Sequence, residues 1–233
     1  MSEERRFSLG EVLKNLLLPP RCFLCGRLLG WEEGLLCPAC RAEESGLSVR
    51  CEEEIFGCDR LFWMADYTGL WREALERFKF RGQTAGQELF GELLVQIVRE
   101  STLREEADGI AFVPMPRPRE RARGYNQARL LADYLAERCG LPVYGEVLRR
   151  QGLAETHGAA SRQERFRSAE SYLPGPGELP PGARVLLVDD IVTSGATLTA
   201  CAGLLREKGA KTVCGIAPLR TPKTAGNPPE KHL

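Results

Sequence analysis

Two adjacent carboxylates, Asp189 and Asp190, stand at the end of the apolar run "VLLV" and just ahead of "IVTSGAT". The run has the composition of a strand buried on both faces. Like charges side by side at the rim of a core are costly unless something compensates them. The residues immediately downstream supply chemistry for holding an anion. Thr193, Ser194 and Thr197 offer hydroxyls, and Gly195 and Ala196 are small enough to let the backbone approach a ligand closely. A helix starting there points its unpaired first amides at the same spot. Carboxylates beside such a cradle suit ribose hydroxyls, or a magnesium ion that bridges hydroxyls and phosphates. A ribose bearing a 5-phosphate and a diphosphate, with Mg2+, satisfies all of these groups. The plainer alternative is a strand-to-helix turn with acidic caps.

Arg117, Arg119, Arg121 and Arg123 recur at every second position of "RPRERAR". The stretch reads as a loop between a strand and the helix opened by "GYNQ". Guanidinium groups bind phosphate oxygens in bidentate fashion, so the segment is a candidate phosphate-binding arm. A solvated basic turn and a contact to a nucleic-acid backbone are the alternatives. Lys79 and Arg81 in "KFRG" are further candidates of the same kind.

Cys22, Cys25, Cys37 and Cys40 form C-x2-C, an eleven-residue gap and C-x2-C. Each C-x2-C turn presents two thiolates to one ion, which suits tetrahedral zinc; thiols without metal and an iron–sulfur site are the alternatives. A closed four-thiolate shell has no open position, so such a zinc is structural. Cys51 and Cys58 read as a degraded second pair, and Cys139, Cys201 and Cys214 as core. Only two histidines occur, His157 and His232, and neither pairs visibly with a nucleophile, which argues against Ser- or Cys-His hydrolysis.

The elements that must position these groups alternate. An amphipathic helix is expected over 8–18, with Ser8 and Glu11 as a capping box and Pro19 and Pro20 as its stop. After the cysteine module, "RLFWMADY" alternates like a strand. Helical patterns run from Gly69 and again from Gln87 to about Arg104. "GIAFVPMP" is a short strand, a helix runs from "NQ" to Gly140, and "PVYGEVL" is a strand. "LPGPGELPPGA" is a surface connection. A strand at 185–188, a helix from Ala196 to Lys208 and the strand "KTVCGIAPL" complete the pattern. Strands alternating with helices predict an α/β fold with a parallel sheet. The tail over 221–233 has little to bury.

Lys+Arg and Asp+Glu both number 32, so net charge gives no argument for nucleic acid, and any basic site is local. No apolar run approaches the ~20 residues that span a bilayer. The opening "MSEERRFSLGEVLKNLLLPP" carries acidic residues and reads poorly as a signal peptide. The expected location is therefore cytoplasmic, without membrane insertion.

"VDDIVTSGAT" resembles the PRPP-binding motif of type I phosphoribosyltransferases: two acids after a hydrophobic strand, then a Thr/Ser–Gly–Thr phosphate loop. "VPMPRPRERARGYNQARLLA" looks like the "VPVP…R.RGFNQ…LA" segment of the ComF family (ComFC/GntX-like), "FKFRG" looks like its "KYRG", and the four-cysteine module matches as well. The likeness covers about 22 to 219. It implies a type I phosphoribosyltransferase-like fold, a mostly parallel sheet flanked by helices, with a small N-terminal zinc-binding module. The implied organisation is a helix and zinc module over 1–58, a phosphoribosyltransferase-like domain over 59–220 and a disordered tail over 221–233.

The implied activity is Mg2+-dependent transfer of phosphoribosyl to an acceptor with release of pyrophosphate. Asp189 and Asp190 would be catalytic, with Thr193, Ser194, Gly195, Ala196 and Thr197 binding PRPP beside them. Arg117, Arg119, Arg121, Arg123 and Lys79 would take the pyrophosphate, and 161–167 would close as a lid. The family also implies a link to DNA uptake or utilisation, with single-stranded DNA and a helicase-like competence ATPase as partners. The alternative is a non-catalytic PRPP- or single-stranded-DNA-binding module that docks a partner through its zinc module. The chain keeps Ser161, Glu164 and Arg165 of the family's "Q.GLS..ER..N" but has His157 for Gln and Ser168 for Asn, leaving the acceptor open.

Overall fold

The structure, a computed structural model, describes residues 19–30, 32–80, 83–151 and 171–222. The helix expected over 8–18 and the tail from 223 lie outside the described residues, as do Arg81, His157 and the segment 161–168. The chain divides into two units, Met1–Leu47 and Ser48–Leu233.

In the first unit a tight turn is closed by Cys22 N–H donating to Arg27 O at 2.7 Å and by Gly26 N–H donating to Cys22 O at 2.8 Å. Helix α1 (Pro38–Ser45) comes next, with Pro38 in the first turn, where a missing N–H loses nothing. The buried apolar side chains described here are Leu24 and Leu36 beside Cys22, Cys37 and Cys40. So small a cluster is too little to hold a fold without a cross-link.

The second unit begins with strands β1 (Arg50–Ile55), β2 (Cys58–Trp63) and β3 (Ala65–Asp66), then helices α2 (Gly69–Phe80), α3 (Gln83–Glu100) and α4 (Leu103–Glu106). Strand β4 (Gly109–Phe112), helices α5 (Arg117–Arg123) and α6 (Gln127–Cys139) and the paired strands β5 (Leu148–Arg150) and β6 (Tyr172–Pro174) come next. The chain then runs through β7 (Arg184–Val188), β8 (Ile191–Val192), α7 (Ala196–Glu207), β9 (Thr212–Ile216) and β10 (Leu219–Arg220).

The main sheet has the order β1-β2-β9-β7-β4. Only the β1–β2 hairpin is antiparallel; β2, β9, β7 and β4 run parallel. A smaller parallel sheet, β3-β10-β8, lies beyond the carboxyl ends of the main strands. Strand β7 lies inside the sheet, between β9 and β4, as suits "VLLV", which is apolar on both faces. Val185 and Leu187 pack with Leu198, Cys201 and Leu205 of α7, and Leu186 and Val188 alternate to the opposite face. Helix α3 buries Leu89, Phe90, Leu93, Leu94 and Ile97 at helical spacing. It crosses α6 closely at Gly91, where an added Cβ would sit 2.4 Å from the Tyr134 ring.

Three expectations change. Strand β1 carried no recognisable pattern, because an edge strand reading "RCEEEI" exposes Glu53 and Glu54 and has no fully buried residue. It draws Cys51 and Cys58 into the sheet of the second unit, Cys51 exposed and Cys58 buried. "PVYGEVL" supplies only a bridge from Val143 to Ile110 and the first residue of β5, since backbone at positive φ at Glu146 interrupts it. The arginine segment is a helix rather than a loop: Pro118 is tolerated in its first turn and Gly124 ends it in the left-handed region. Among the described residues no helix is long and apolar enough to cross a membrane.

Candidate functional site

Strand β7 ends where its ladder ends. Val113 N–H donates to Val188 O at 2.9 Å, and Asp189 N–H donates to Ile216 O at 3.1 Å, so Asp189 sits at the rim between β4 and β9. Asp190 N–H donates to the Asp189 carboxylate at 2.8 Å. Both acids line a cleft of 370 Å³ at the carboxyl ends of the parallel strands, the place where open α/β sheets hold ligands.

Asp189 is only 9% exposed. Burial, and then the charge of Asp190, pushes its carboxyl well above the usual range. Burial raises Asp190 as well, while the charges of Lys79 and Arg123 pull the other way. Among the described residues no ion pair holds either carboxylate; Lys79, which lines the cleft, is bridged to Glu76 at 3.2 Å instead. A buried acid and a half-buried neighbour, with no ion pair to either among the described residues, face one cleft and make a site prepared for cations or hydroxyl donors.

The segment 193–195 leads into α7 through Gly195, whose φ of +77° places it in the left-handed region as the helix N-cap. No side chain caps this end, so the amides of the first turn remain available to an anion. Thr193 and Thr197 line the cleft, and Thr197 also accepts a long 3.5 Å hydrogen bond from Tyr172 Oη. Burial raises the Tyr172 hydroxyl to about 12, so it stays a neutral donor.

The helical form of α5 divides the four arginines. Positions four apart share a helix face and positions two apart oppose one another. Arg119 and Arg123 therefore line the cleft, and Arg117 and Arg121 do not. Arg123 donates to Gln127 Oε1 at 2.6 Å. Gln127 is 1% exposed, and its Nε2 has no acceptor among the described residues, although the residue lines the cleft. Asn126 closes the wall: its Nδ2 donates to Val113 O at 3.0 Å and its Oδ1 caps α6 by accepting from Ala128 N–H at 3.0 Å.

Sequence reasoning missed Glu76, Arg150 and Tyr172, all of which line the cleft. Arg150 and Tyr172 are register partners across β5 and β6, and the Arg150 guanidinium lies 4.8 Å from the Tyr172 ring centroid. They stand far apart in sequence on strands of three residues, too short for a periodic signal. Glu76 was detectable one helical turn before Lys79, since positions three apart share a face.

In the first unit the sulfurs of Cys22, Cys25, Cys37 and Cys40 lie within 4.8 Å of one another. Cys25 Sγ and Cys37 Sγ are 3.8 Å apart, about the edge of a tetrahedron with ~2.3 Å metal–sulfur bonds. Cys37 N–H points at Cys22 Sγ at 3.4 Å, a contact that favours the thiolate. The four residues fit a structural metal ion.

Comparison with known proteins fits this geometry. Residues 121–232 match the phosphoribosyl transferase domain family. The DNA utilization protein YhgH of Salmonella typhimurium is 31% identical over 199 residues, covering 82% of this chain and 86% of that protein. Competence protein ComFC of Bacillus subtilis is 28% identical over 200 residues, covering 81% and 78%. Competence protein F of Haemophilus influenzae is 31% identical over 145 residues, covering 60% and 63%.

Proposed function

The chain belongs to the ComF family of competence and DNA-utilization proteins and carries its phosphoribosyltransferase-type domain, and on that premise we propose that the cleft binds PRPP and transfers its phosphoribosyl group. The observation that carries this reading is the pair of unneutralised carboxylates, Asp189 and Asp190, in one cleft with Thr193, Thr197 and the cations Lys79, Arg119 and Arg123.

In this reading Asp189 and Asp190 accept hydrogen bonds from the ribose hydroxyls. The 193–197 loop and the α7 amides hold the 5-phosphate. Arg119, Arg123 and Lys79 face the diphosphate, and Gln127 Nε2 finds in it the acceptor it lacks. An acceptor lone pair attacks the anomeric carbon as the bond to the diphosphate oxygen lengthens. The protein orients the two reactants and stabilises the charge that gathers on the leaving diphosphate. Asp189 and Asp190 are also the residues that would hold Mg2+, which when bound supplies charge neutralisation across hydroxyl and phosphate oxygens.

The metal of the first unit is zinc in this reading, structural because Cys22, Cys25, Cys37 and Cys40 close the shell. The names of the relatives support a role in DNA uptake or utilisation; single-stranded DNA or a competence ATPase as partner, and the cytoplasm as the place, are part of the proposal. The test is incubation with PRPP and Mg2+ across a panel of bases, nucleosides and nucleotides. Pyrophosphate released only when a particular acceptor is present supports transfer. PRPP bound without turnover against any acceptor leaves a binding module, and failure to bind PRPP overturns the reading.

A further inference from the structure

Beside the first cleft lies a second, of 470 Å³, that shares Pro114, Met115, Asn126 and Arg150 with it. Two elements distribute arginines between them. On α5, Arg119 and Arg123 line the first cleft while Arg117, half a turn away, lines the second. On β5, Arg149 lines only the second, and its neighbour Arg150 lines both. With Arg129 from α6, the second cleft is lined by four guanidinium groups against two carboxylates, Glu120 and Glu146.

This is a local excess in a chain whose formal net charge is zero. The three arginines that line only this second cleft are weakly committed. Arg117 and Arg149 are exposed and have no ion-pair partner among the described residues. Arg129 reaches Asp133 only at 3.7 Å, with both side chains well exposed. An excess of two positive charges in a cavity of small-ligand size matches one dianion rather than a long polymer.

We infer that the second cleft holds the acceptor of the transfer, and that this acceptor is a small molecule carrying a phosphomonoester. The inference rests on the proposal that the first cleft binds PRPP. The shared wall then separates the two reactants. Arg117, Arg129 and Arg149 anchor the acceptor's phosphate, which leaves its nucleophilic atom free to face the ribose. That atom's lone pair forms the new bond to the anomeric carbon, the bond from that carbon to the diphosphate oxygen breaks, the diphosphate leaves with the electron pair, and the acceptor's proton passes to water. Arg150, which lines both clefts, faces the phosphates of both ligands.

The test is calorimetric titration of the full chain with AMP, CMP, GMP and UMP, with each parent nucleoside, with oligo(dT) of twelve residues, and separately with PRPP and Mg2+. At least one monophosphate is expected to bind, at least about tenfold more tightly than its nucleoside. Arg117→Ala with Arg149→Ala removes two charge-assisted contacts and is expected to weaken that monophosphate about 100-fold while leaving PRPP within twofold. Thermal melts confirm that the variant folds, both residues being exposed.

The inference is overturned if no monophosphate binds, if nucleoside and monophosphate bind alike, if the double variant binds the monophosphate as the parent does, or if oligo(dT) binds tenfold more tightly than every monophosphate. PRPP separates the two readings. Wild-type protein that binds PRPP but no monophosphate sinks this inference alone. Wild-type protein that binds no PRPP sinks the assignment of the first cleft, and with it the identification of the second ligand as an acceptor.

Discussion

The Phe56 ring fills the space that a side chain at Gly195 would need: an added Cβ would stand 2.1 Å from a ring carbon. Phe56 and Gly57 are the two-residue turn of the β1–β2 hairpin, at φ +56° and +71°. Two successive positive φ values make the turn that matches sheet twist, usually filled by Asn-Gly. A phenylalanine there stores about 1–3 kcal/mol of backbone strain, which the surroundings must offset. The Arg220 guanidinium lies 5.6 Å from the Phe56 ring centroid and 4.4 Å from that of Trp63, and it is held by Glu52 at 3.0 Å. The hairpin thus braces the loop residue from which α7 starts.

Gly195→Ala is accordingly expected to lose about 2–5 kcal/mol of stability, the sum of a left-handed alanine and an overpacked contact. In a Phe56→Ala background the same change should lose only the backbone part, about 1–2 kcal/mol. Urea denaturation of the four proteins gives the coupling energy. Strict additivity would mean that the ring does not brace the loop.

The Arg220–Glu52 pair is mostly out of water, with side-chain exposures of 5% and 27%. Removing one partner leaves the other charge buried, an effect of about 3–5 kcal/mol for fully buried pairs and less for the partly exposed Glu52. Glu52→Ala should therefore destabilise by about 2–3 kcal/mol, and Arg220→Met with Glu52→Met should recover most of that loss. A double variant less stable than Glu52→Ala in thermal melts contradicts this account.

Burial and the charge of Asp190 raise the Asp189 carboxyl well above its ordinary 3.8. A raised acid contributes stability that is fully present below that ordinary value and is lost as pH climbs through the raised one. Asp189→Asn removes this dependence. The ligand-free variant should melt above the parent at pH 7, and the gap should close below the ordinary 3.8. A variant that melts below the parent at neutral pH would show that the native structure stabilises the ionised acid.

The thiolate cluster predicts about one zinc per chain by elemental analysis, lost when Cys22 and Cys25 are both replaced by Ser. Iron with labile sulfide in place of zinc, or full zinc retention in the double variant, contradicts the assignment.

Much of this arrangement was legible in the order of residues, and the rest was hidden for definite reasons. The "VLLVDD" strand end and the small residues after it are local chemistry, readable because β7 and α7 are contiguous in sequence. The cysteine spacing is likewise local, and the four sulfurs do converge. The arginine run was misread because alternate spacing suggests an extended segment, whereas helix α5 turns Arg117 and Arg121 away from Arg119 and Arg123. Strand β1 was hidden by its exposed edge position. Arg150 and Tyr172 meet only through a non-local pairing, and Phe56 reaches Gly195 only because a hairpin at one end of the chain folds onto a loop near the other.

The most direct measurement is calorimetric titration of PRPP with Mg2+ into the parent chain and into Asp189→Asn/Asp190→Asn. The parent should bind one PRPP per chain. The variant, deprived of two charged partners for the ribose hydroxyls and the cation, should bind at least about 100-fold more weakly while still folding. Equal affinity in the two proteins would contradict the account, because it would place the sugar somewhere other than against Asp189 and Asp190.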